Sequence, residues 1–382
     1  MKRTIFAPEH DDFREAVAAF IAKEAVPHSE AWEQAGMVDR SFWRKAAALG
    51  FVGFAAPEQY GGLGVRDFRF NAILDEEMSY AGAVGDNFSL QNDVLAPYLV
   101  EFTTPEQQAR WLPRFTSGEL VAAIAMSEPG MGSDLRAMST VARRSGEGYV
   151  INGSKTFVTS GIQADLVIVC ARVDDAKGRS SSPITLFAVE AGAPGFEHGR
   201  KLEKIGRRAQ DTAELFLTDV EVAPENRIGG EGEGLTLLKR NLPQERLSIA
   251  TTAVAVAEAA LDLTLDYCRE RRTFGKPIGE HQAIRFALAD MKVKLDMARA
   301  YLDRCIEAHV HGELTAEEAA GAKLATSELQ FEVVDRCLQL HGGYGYMEEY
   351  AIARIWRDSR VQRIYGGTSE IMKEIVGRSM GF

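Results

Sequence analysis

Apolar residues recur at helical spacing through the first third of the chain, at Phe13, Val17, Phe20 and Ile21 and again at Phe42, Ala46 and Leu49. The pattern predicts helices from about residue 11 to residue 120. A Gly- and Pro-rich stretch at 55–64 reads as a loop between them, and Pro97 and Pro105 each sit where a helix must start, bend or stop. After Val121 the period changes. Residues 140–144, 149–153, 165–172, 184–189 and 214–220 are short strand-like runs separated by turn residues. Gly146, Gly148 and Asn152 with Gly153 are expected to supply tight connections, and the polar segment 173–183 a mobile hairpin tip. Helical periodicity then returns over 233–271, 282–311 and 315–340, and long amphipathic helices without a sheet imply a bundle. The expected fold class is α+β: an N-terminal helical domain (1–120), a middle β-domain (121–230) and a C-terminal helical bundle (231–382).

Composition excludes more than it names. A chain of 382 residues with 46% hydrophobic and 26% charged positions is an ordinary globular sequence with ample core material. Its formal net charge of -11 argues against nucleic acid or an anionic membrane as partner, since both are bound through basic surfaces. Cys170, Cys268, Cys305 and Cys337 stand far apart with no Cys-x-x-Cys, which reads as buried free thiols in a reducing compartment. His309 and His311 are two apart on an expected helix and project in different directions, so no metal site is expected. The basic N-terminus lacks an apolar run behind it, and no uninterrupted apolar stretch approaches the ~18 residues of a membrane span. A cytoplasmic location without membrane insertion is the expectation.

Candidate chemistry comes from ordered blocks. Ala125-Met-Ser-Glu-Pro-Gly-Met-Gly-Ser-Asp134, Lys155-Thr-Phe-Val-Thr159, Asp211-Thr-Ala-Glu-Leu215, Arg271-Arg-Thr-Phe-Gly275 and Gln339-Leu-His-Gly-Gly-Tyr-Gly-Tyr346, the last continuing to Arg354 and Asp358, follow one another along the chain. A single Gly-rich loop is weak, because Gly mostly marks turns. The five together, in this order, resemble the acyl-CoA dehydrogenase family over nearly the whole chain. Leu242-Pro-Gln-Glu-Arg-Leu247, the Asp211 block and Tyr365-Gly-Gly-Thr368 are most similar to its long-chain type.

That resemblance implies FAD as cofactor, held by Met126, Ser127, Gly132, Ser133, Phe157, Thr159, Arg271, Gln282, Gln339, Gly342, Gly343, Thr368 and Glu370. Ser127 would hold the pyrimidine end of the flavin and Thr159 would lie near N5. Phe157 stands where many members have Trp, which keeps a stacking face and loses an indole N–H; taken alone it would be a core strand residue. Arg271 would reach the FAD pyrophosphate, and Gln282 the adenylate half, across a subunit interface, so a homotetramer is implied; in isolation Arg271 is a surface charge near a helix end. For the acyl-CoA substrate the resemblance implies Ser133, Arg246, Gly366 and Gly367, with Arg246 and the 204–208 segment as candidates for a positive field around coenzyme A, although a charge run is more often a solvated face. Phe88, Leu90 and Asn92 fall where the family lines its acyl pocket, and at helical spacing they are equally packing residues.

The family's usual base is a Glu directly before Gly-Thr, and here that position is Gly366. Glu245 is the candidate replacement. Alone, it reads as a solvated Glu beside Arg246; paired with the missing loop Glu, it reads as a base supplied from a helix, with a kink at Pro243 expected to help aim it inward. Gly366 keeps a role through its backbone N–H, which the family uses to stabilise charge on the thioester oxygen. The implied reaction is α,β-dehydrogenation to a trans-2-enoyl-CoA with electrons passed to an electron-transferring flavoprotein. An acyl-CoA oxidase or flavin monooxygenase on the same fold, or a flavin-retaining binding or assembly module, are the alternatives; oxygen consumption and flavin bleaching by acyl-CoA separate them.

Overall fold

The computed structural model describes residues 3–82, 88–174 and 183–382. The N-terminal helices are α1 (Pro8–Glu24), α2 (Ser29–Ala35), α3 (Arg40–Ala48), α4 (Phe68–Tyr80), α5 (Ala96–Glu101) and α6 (Pro105–Thr116). Their starts are written locally. Asp39 accepts from the Ser41 N–H, Asp67 from that of Arg69, and Thr104 and Gln107 form a capping box with Pro105 as the first helical residue. Val17, Phe20, Ile21, Phe42 and Ala46 are buried with Trp32, Trp43, Phe51 and Phe88. Leu49, expected in the same stripe, is 59% exposed because α3 has ended at Ala48 and the next residue no longer follows the helical face.

Ahead of α5 a π-helical turn, Ser89–Leu95, turns three consecutive polar side chains inward. Gln91 bonds Ala122 through both N–H and C=O, Asn92 takes the Gly53 N–H and donates to the Phe51 carbonyl, and Asp93 accepts from Asn71 and Ser248. Asn92 and Phe88 are thus packing residues, with Phe88 against Phe42 and Trp43.

The middle part is a sheet of β1 (Ala122–Ala125), β2 (Val141–Ser145), β3 (Gly148–Thr159), β4 (Leu166–Val173), β5 (Ile184–Glu190), β6 (Phe196–Lys201), β7 (Thr212–Val222) and β8 (Arg227–Ile228). The order is β6-β7-β3-β2-β4-β5-β8, with β1 pairing parallel to β4. Gly146 at φ 58° closes the β2–β3 hairpin as expected. Asn152 and Gly153 do not form a turn. The strand runs through them, and a bulge against β7 absorbs the glycine. Three strands escaped the sequence pattern: β1 consists of small apolar residues without alternation, β6 is polar and mostly exposed, and β8 has only two residues. The expected hairpin tip at 173–183 lies mostly outside the described residues, while β4 and β5 pair antiparallel on either side of it.

The C-terminal part comprises α7 (Gly234–Glu270), the short pair β9 (Arg272–Thr273) and β10 (Lys276–Pro277), α8 (Gln282–Val310), α9 (Ala316–His341), α10 (Ala351–Ser359) and α11 (Ser369–Ser379). Pro243 lies inside α7 without ending it. One 18-residue window of α7 is apolar enough to cross a membrane by composition, but 67% of it is buried, because α7 packs on α4, α8 and α9 at the centre of the bundle. The four cysteines are buried and free. The N-terminal helices are locked to the bundle at Glu76, which is fully buried and receives Arg299 at 2.6 Å, Arg3 at 2.7 Å and Arg14 at 2.7 Å.

Candidate active site

Glu245 lies on α7 and is buried, at 6% exposed. Its Oε1 accepts from Tyr98 Oη at 3.2 Å and Asn241 Nδ2 at 3.0 Å. Tyr98 sits on α5 among Leu95, Leu99 and Phe102, so the carboxyl is enclosed by apolar groups with two neutral donors. Burial pushes the carboxyl up to about 7, against the two hydrogen bonds and Arg246, which pull it down. The solvated-surface reading of Glu245 fails on this geometry. Arg246 is also buried, its Nε has no hydrogen-bond partner, and burial lowers its guanidinium while Glu245 raises it. Arg246 therefore presents no positive field at the surface.

The Gly366 loop lies against the same helix. A Cβ on Gly366 would stand 2.2 Å from Ile249 Cδ1, and Ile249 is one turn beyond Glu245 on α7. The space a side chain at 366 would need is thus filled from α7, and φ is +62° at Gly366 and +96° at Gly367, where L side chains are strained. Lys323 Nζ donates to the Gly367 carbonyl at 2.7 Å. Thr368 caps α11 by accepting from the Ile371 N–H, and Glu370 lies exposed in its first turn.

A second group forms on the sheet. Phe157 sits in β3 at φ 57°, within a bulge against β7, and is 70% exposed, which overturns the core-strand reading of that ring. The neighbouring Thr156 N–H donates to the Ser127 carbonyl, and Lys155 Nζ reaches the Met126 carbonyl at 3.2 Å, which sets the Met126 and Ser127 backbone beside Phe157 and Thr159. Lys155 is held in turn by Glu128 at 2.8 Å; the same carboxylate accepts from Ser139 and Thr140 and is held down at about 2, as Lys155, Ser139 and Thr140 outweigh burial. Buried Asp211 takes the Ile162 and Gln163 N–H groups just past Thr159. Gly132 and Ser133 lie on the exposed loop after the Glu128–Met131 bridge.

A third group lies at the end of the bundle. Arg271 is exposed where α7 ends, its guanidinium 5.7 Å from the Tyr344 ring centre, next to Gly342 and Gly343, where an added Cβ would meet nothing within 4 Å. Gln339 and Gln282, at the adjacent ends of α9 and α8, are exposed. The 204–208 segment is engaged instead of forming a free positive field: Lys204 donates to the Gln210 carbonyl, the Arg207 N–H to Asp358, and Arg208 to Glu348. An open groove of about 950 Å³ between the N-terminal helices and the sheet, lined by Trp32, Arg40, Asp165 and His198, does not include Glu245.

The sequence matches three family models: the acyl-CoA dehydrogenase N-terminal domain over residues 7–119, the middle domain over 123–220 and the C-terminal domain over 232–381. The chain belongs to the acyl-CoA dehydrogenase family. The long-chain specific acyl-CoA dehydrogenase, mitochondrial, of Rattus norvegicus is 44% identical over 378 residues, covering 99% of this chain and 88% of that protein. The crystal structure of acyl-CoA dehydrogenase from Geobacillus kaustophilus superposes with a TM-score of 0.96 at 43% identity, covering all of both chains. A glutaryl-CoA dehydrogenase from Mycobacterium smegmatis in complex with FADH2 superposes with a TM-score of 0.90 at 25% identity over 98% of this chain and 95% of that one.

This acyl-CoA dehydrogenase is a flavin-dependent oxidoreductase with FAD as its cofactor. Its residues fit that group: a ring held out of the core at a strained backbone, the Ser127 backbone bonded to the adjoining Thr156, and open glycine backbone next to an exposed arginine. Sequence reasoning missed the residues that hold the named ones. Asn241 was readable, being four before Glu245 on one helix face. Glu128 and Lys155 lie inside the quoted blocks. Tyr98 and Lys323 left no local signal.

Proposed function

We propose that this acyl-CoA dehydrogenase uses Glu245 to remove the α-proton of a medium-to-long straight-chain acyl-CoA, giving the trans-2-enoyl-CoA. The observation that carries it is a buried Glu245, poised near neutral pH and one helical turn from the residue that fills the Gly366 side-chain space. A base for a weakly acidic C–H must accept a proton near neutral pH, and the Tyr98 and Asn241 donors orient Oε1 while keeping the carboxyl ionisable. The Gly366 N–H is available to the thioester oxygen, and Arg246 adds positive charge behind it. When bound, FAD supplies the acceptor for the β-hydride. Electron-transferring flavoprotein is the acceptor the family resemblance suggests. A homotetramer would bring Arg271 and Gln282 of one subunit to the FAD of another; the apolar residues left exposed along α8, Phe286, Val293 and Met297, support such an assembly.

The test is Glu245→Gln, read by anaerobic stopped-flow reduction of bound FAD with a good substrate. The variant should keep FAD and bind acyl-CoA while reduction slows by about a thousandfold. A rate close to wild type would remove Glu245 from the mechanism. For chain length, a deeper apolar tunnel gains roughly 0.8 kcal/mol per buried methylene, so kcat/KM should climb from four carbons upward; a maximum at four or five carbons, or on a branched acyl group, contradicts the assignment.

A further inference from the structure

Among the described residues two lysines are buried, and they are held differently. Lys155 faces a carboxylate at 2.8 Å. Lys323, on α9 and 0% exposed, donates at 2.7 Å to a neutral acceptor, the Gly367 carbonyl. Its ammonium is pushed down to about 8 by burial and then by Arg246, against Glu328 and Glu370, which raise it. An ammonium placed inside the protein without a close counter-ion has a solvation deficit that an anion forming nearby would relieve.

The loop it touches has little to hold itself. Gly366 and Gly367 carry no side chains and both have positive φ. Beyond Lys323, the loop is secured at its edges by α9 again, where Glu328 accepts from Ser369 Oγ at 2.6 Å and Arg363 at 2.7 Å, and by the Thr368 cap. Lys323 thus hydrogen-bonds the glycine pair itself, whose side-chain space is filled by Ile249 and Met372.

We infer that Lys323 is a positioning residue for the thioester: by holding the Gly367 carbonyl, two peptide units beyond the Gly366 N–H, it restrains the glycine pair so that this N–H stays presented to the thioester oxygen, and with Arg246 it adds positive charge to that region. The inference rests on the assignment of Gly366 to the thioester oxygen made above. Negative charge that forms there as the α-proton leaves meets a donor already aligned, and misalignment of such a donor costs more in the charged state than in the neutral one.

The experiment titrates FAD-loaded enzyme with 3-thiaoctanoyl-CoA, whose sulfur at the β-position leaves an α-proton to remove but no hydride to give. Loss of the α-proton appears as a long-wavelength absorption band of ligand beside oxidised flavin, followed against pH. Lys323→Met should raise the pH midpoint of the band by about one to two units, a tenfold to hundredfold loss of anion stabilisation, while the Kd for neutral ligand changes by less than about threefold. Lys323→Arg, which keeps the charge, should recover part of the shift. An unchanged midpoint in Lys323→Met overturns the inference, as does a loss of neutral-ligand affinity equal to the loss of anion. Should Lys323→Met and Lys323→Arg both fail to fold or to hold FAD, Lys323 supports the fold and the inference falls. If wild type forms no band between about pH 6 and pH 9, it is the thioester-site reading that fails, independently of Lys323.

Discussion

Glu245 and Glu76 are both glutamates sealed within helix packing, at 6% and 0% exposure, and they titrate in opposite directions. Burial pushes each carboxyl up. At Glu76, Arg299, Arg3 and Arg14 outweigh it and hold the group below its ordinary range. At Glu245 the close partners are a phenol and an amide, Arg246 offsets only part of the desolvation, and the carboxyl stays near 7. Desolvation is common to both sites, so the surrounding charges decide the role. A carboxylate met by several guanidiniums is a brace that keeps its charge; one met by neutral donors can take a proton and give it up.

The comparison breaks most visibly in turnover. Glu245→Gln should cost about a thousandfold in flavin reduction, whereas Glu76→Gln, which leaves the site intact, should hold kcat/KM within about twofold. Stability should reverse the ranking: Glu76→Gln leaves three guanidiniums facing a neutral amide and should destabilise by about 3 kcal/mol, read as a lower denaturant midpoint. A Glu76→Gln variant with wild-type stability would show that the network contributes no net support.

The pH dependence sharpens the contrast further. Glu245 has a folded-state value of about 7 against 4.5 for an ordinary Glu, so the folded state holds its proton longer. Its contribution to stability is present below about 4.5 and lost as pH rises through about 7. Glu245→Gln lacks that loss, so its apparent Tm should gain on wild type between about pH 5 and pH 8, by an amount equivalent to roughly 3 kcal/mol at most. Glu76 runs the other way: its contribution is present above the ordinary carboxyl range and lost only as acid reaches its depressed value. The smallest effect is expected from Tyr98→Phe, which removes a donor that favours the ionised form; the acidic limb of kcat/KM should move up by about half a unit. A downward move would mean that Tyr98 does not donate to Glu245 during turnover.

The sequence exposed the fold more fully than the site. Helical period located α7, α8 and α9 to within a residue or two, because that signal is local. β1 stayed hidden, since three small buried alanines around one Ile show neither alternation nor β-branching beyond Ile124. In the site, Glu245 was legible from the gap at Gly366, and Phe157 from its block, but the strained φ that lifts the Phe157 ring out of the core was not. A bulge depends on the partner strand, and nothing within Lys155-Thr-Phe-Val-Thr159 records it.

By itself the sequence determined what depends on neighbours along the chain: the helix, sheet, helix order and the positions of the long helices. Tertiary structure decided which charges survive inside the protein. Tyr98 lies 147 residues from the carboxylate it bonds, Arg299 lies 223 from Glu76, and Lys323 lies 44 from the carbonyl it holds. A carboxylate or ammonium responds to the charges and dipoles within a few ångströms and to the water it has lost, and folding sets both by bringing distant segments together.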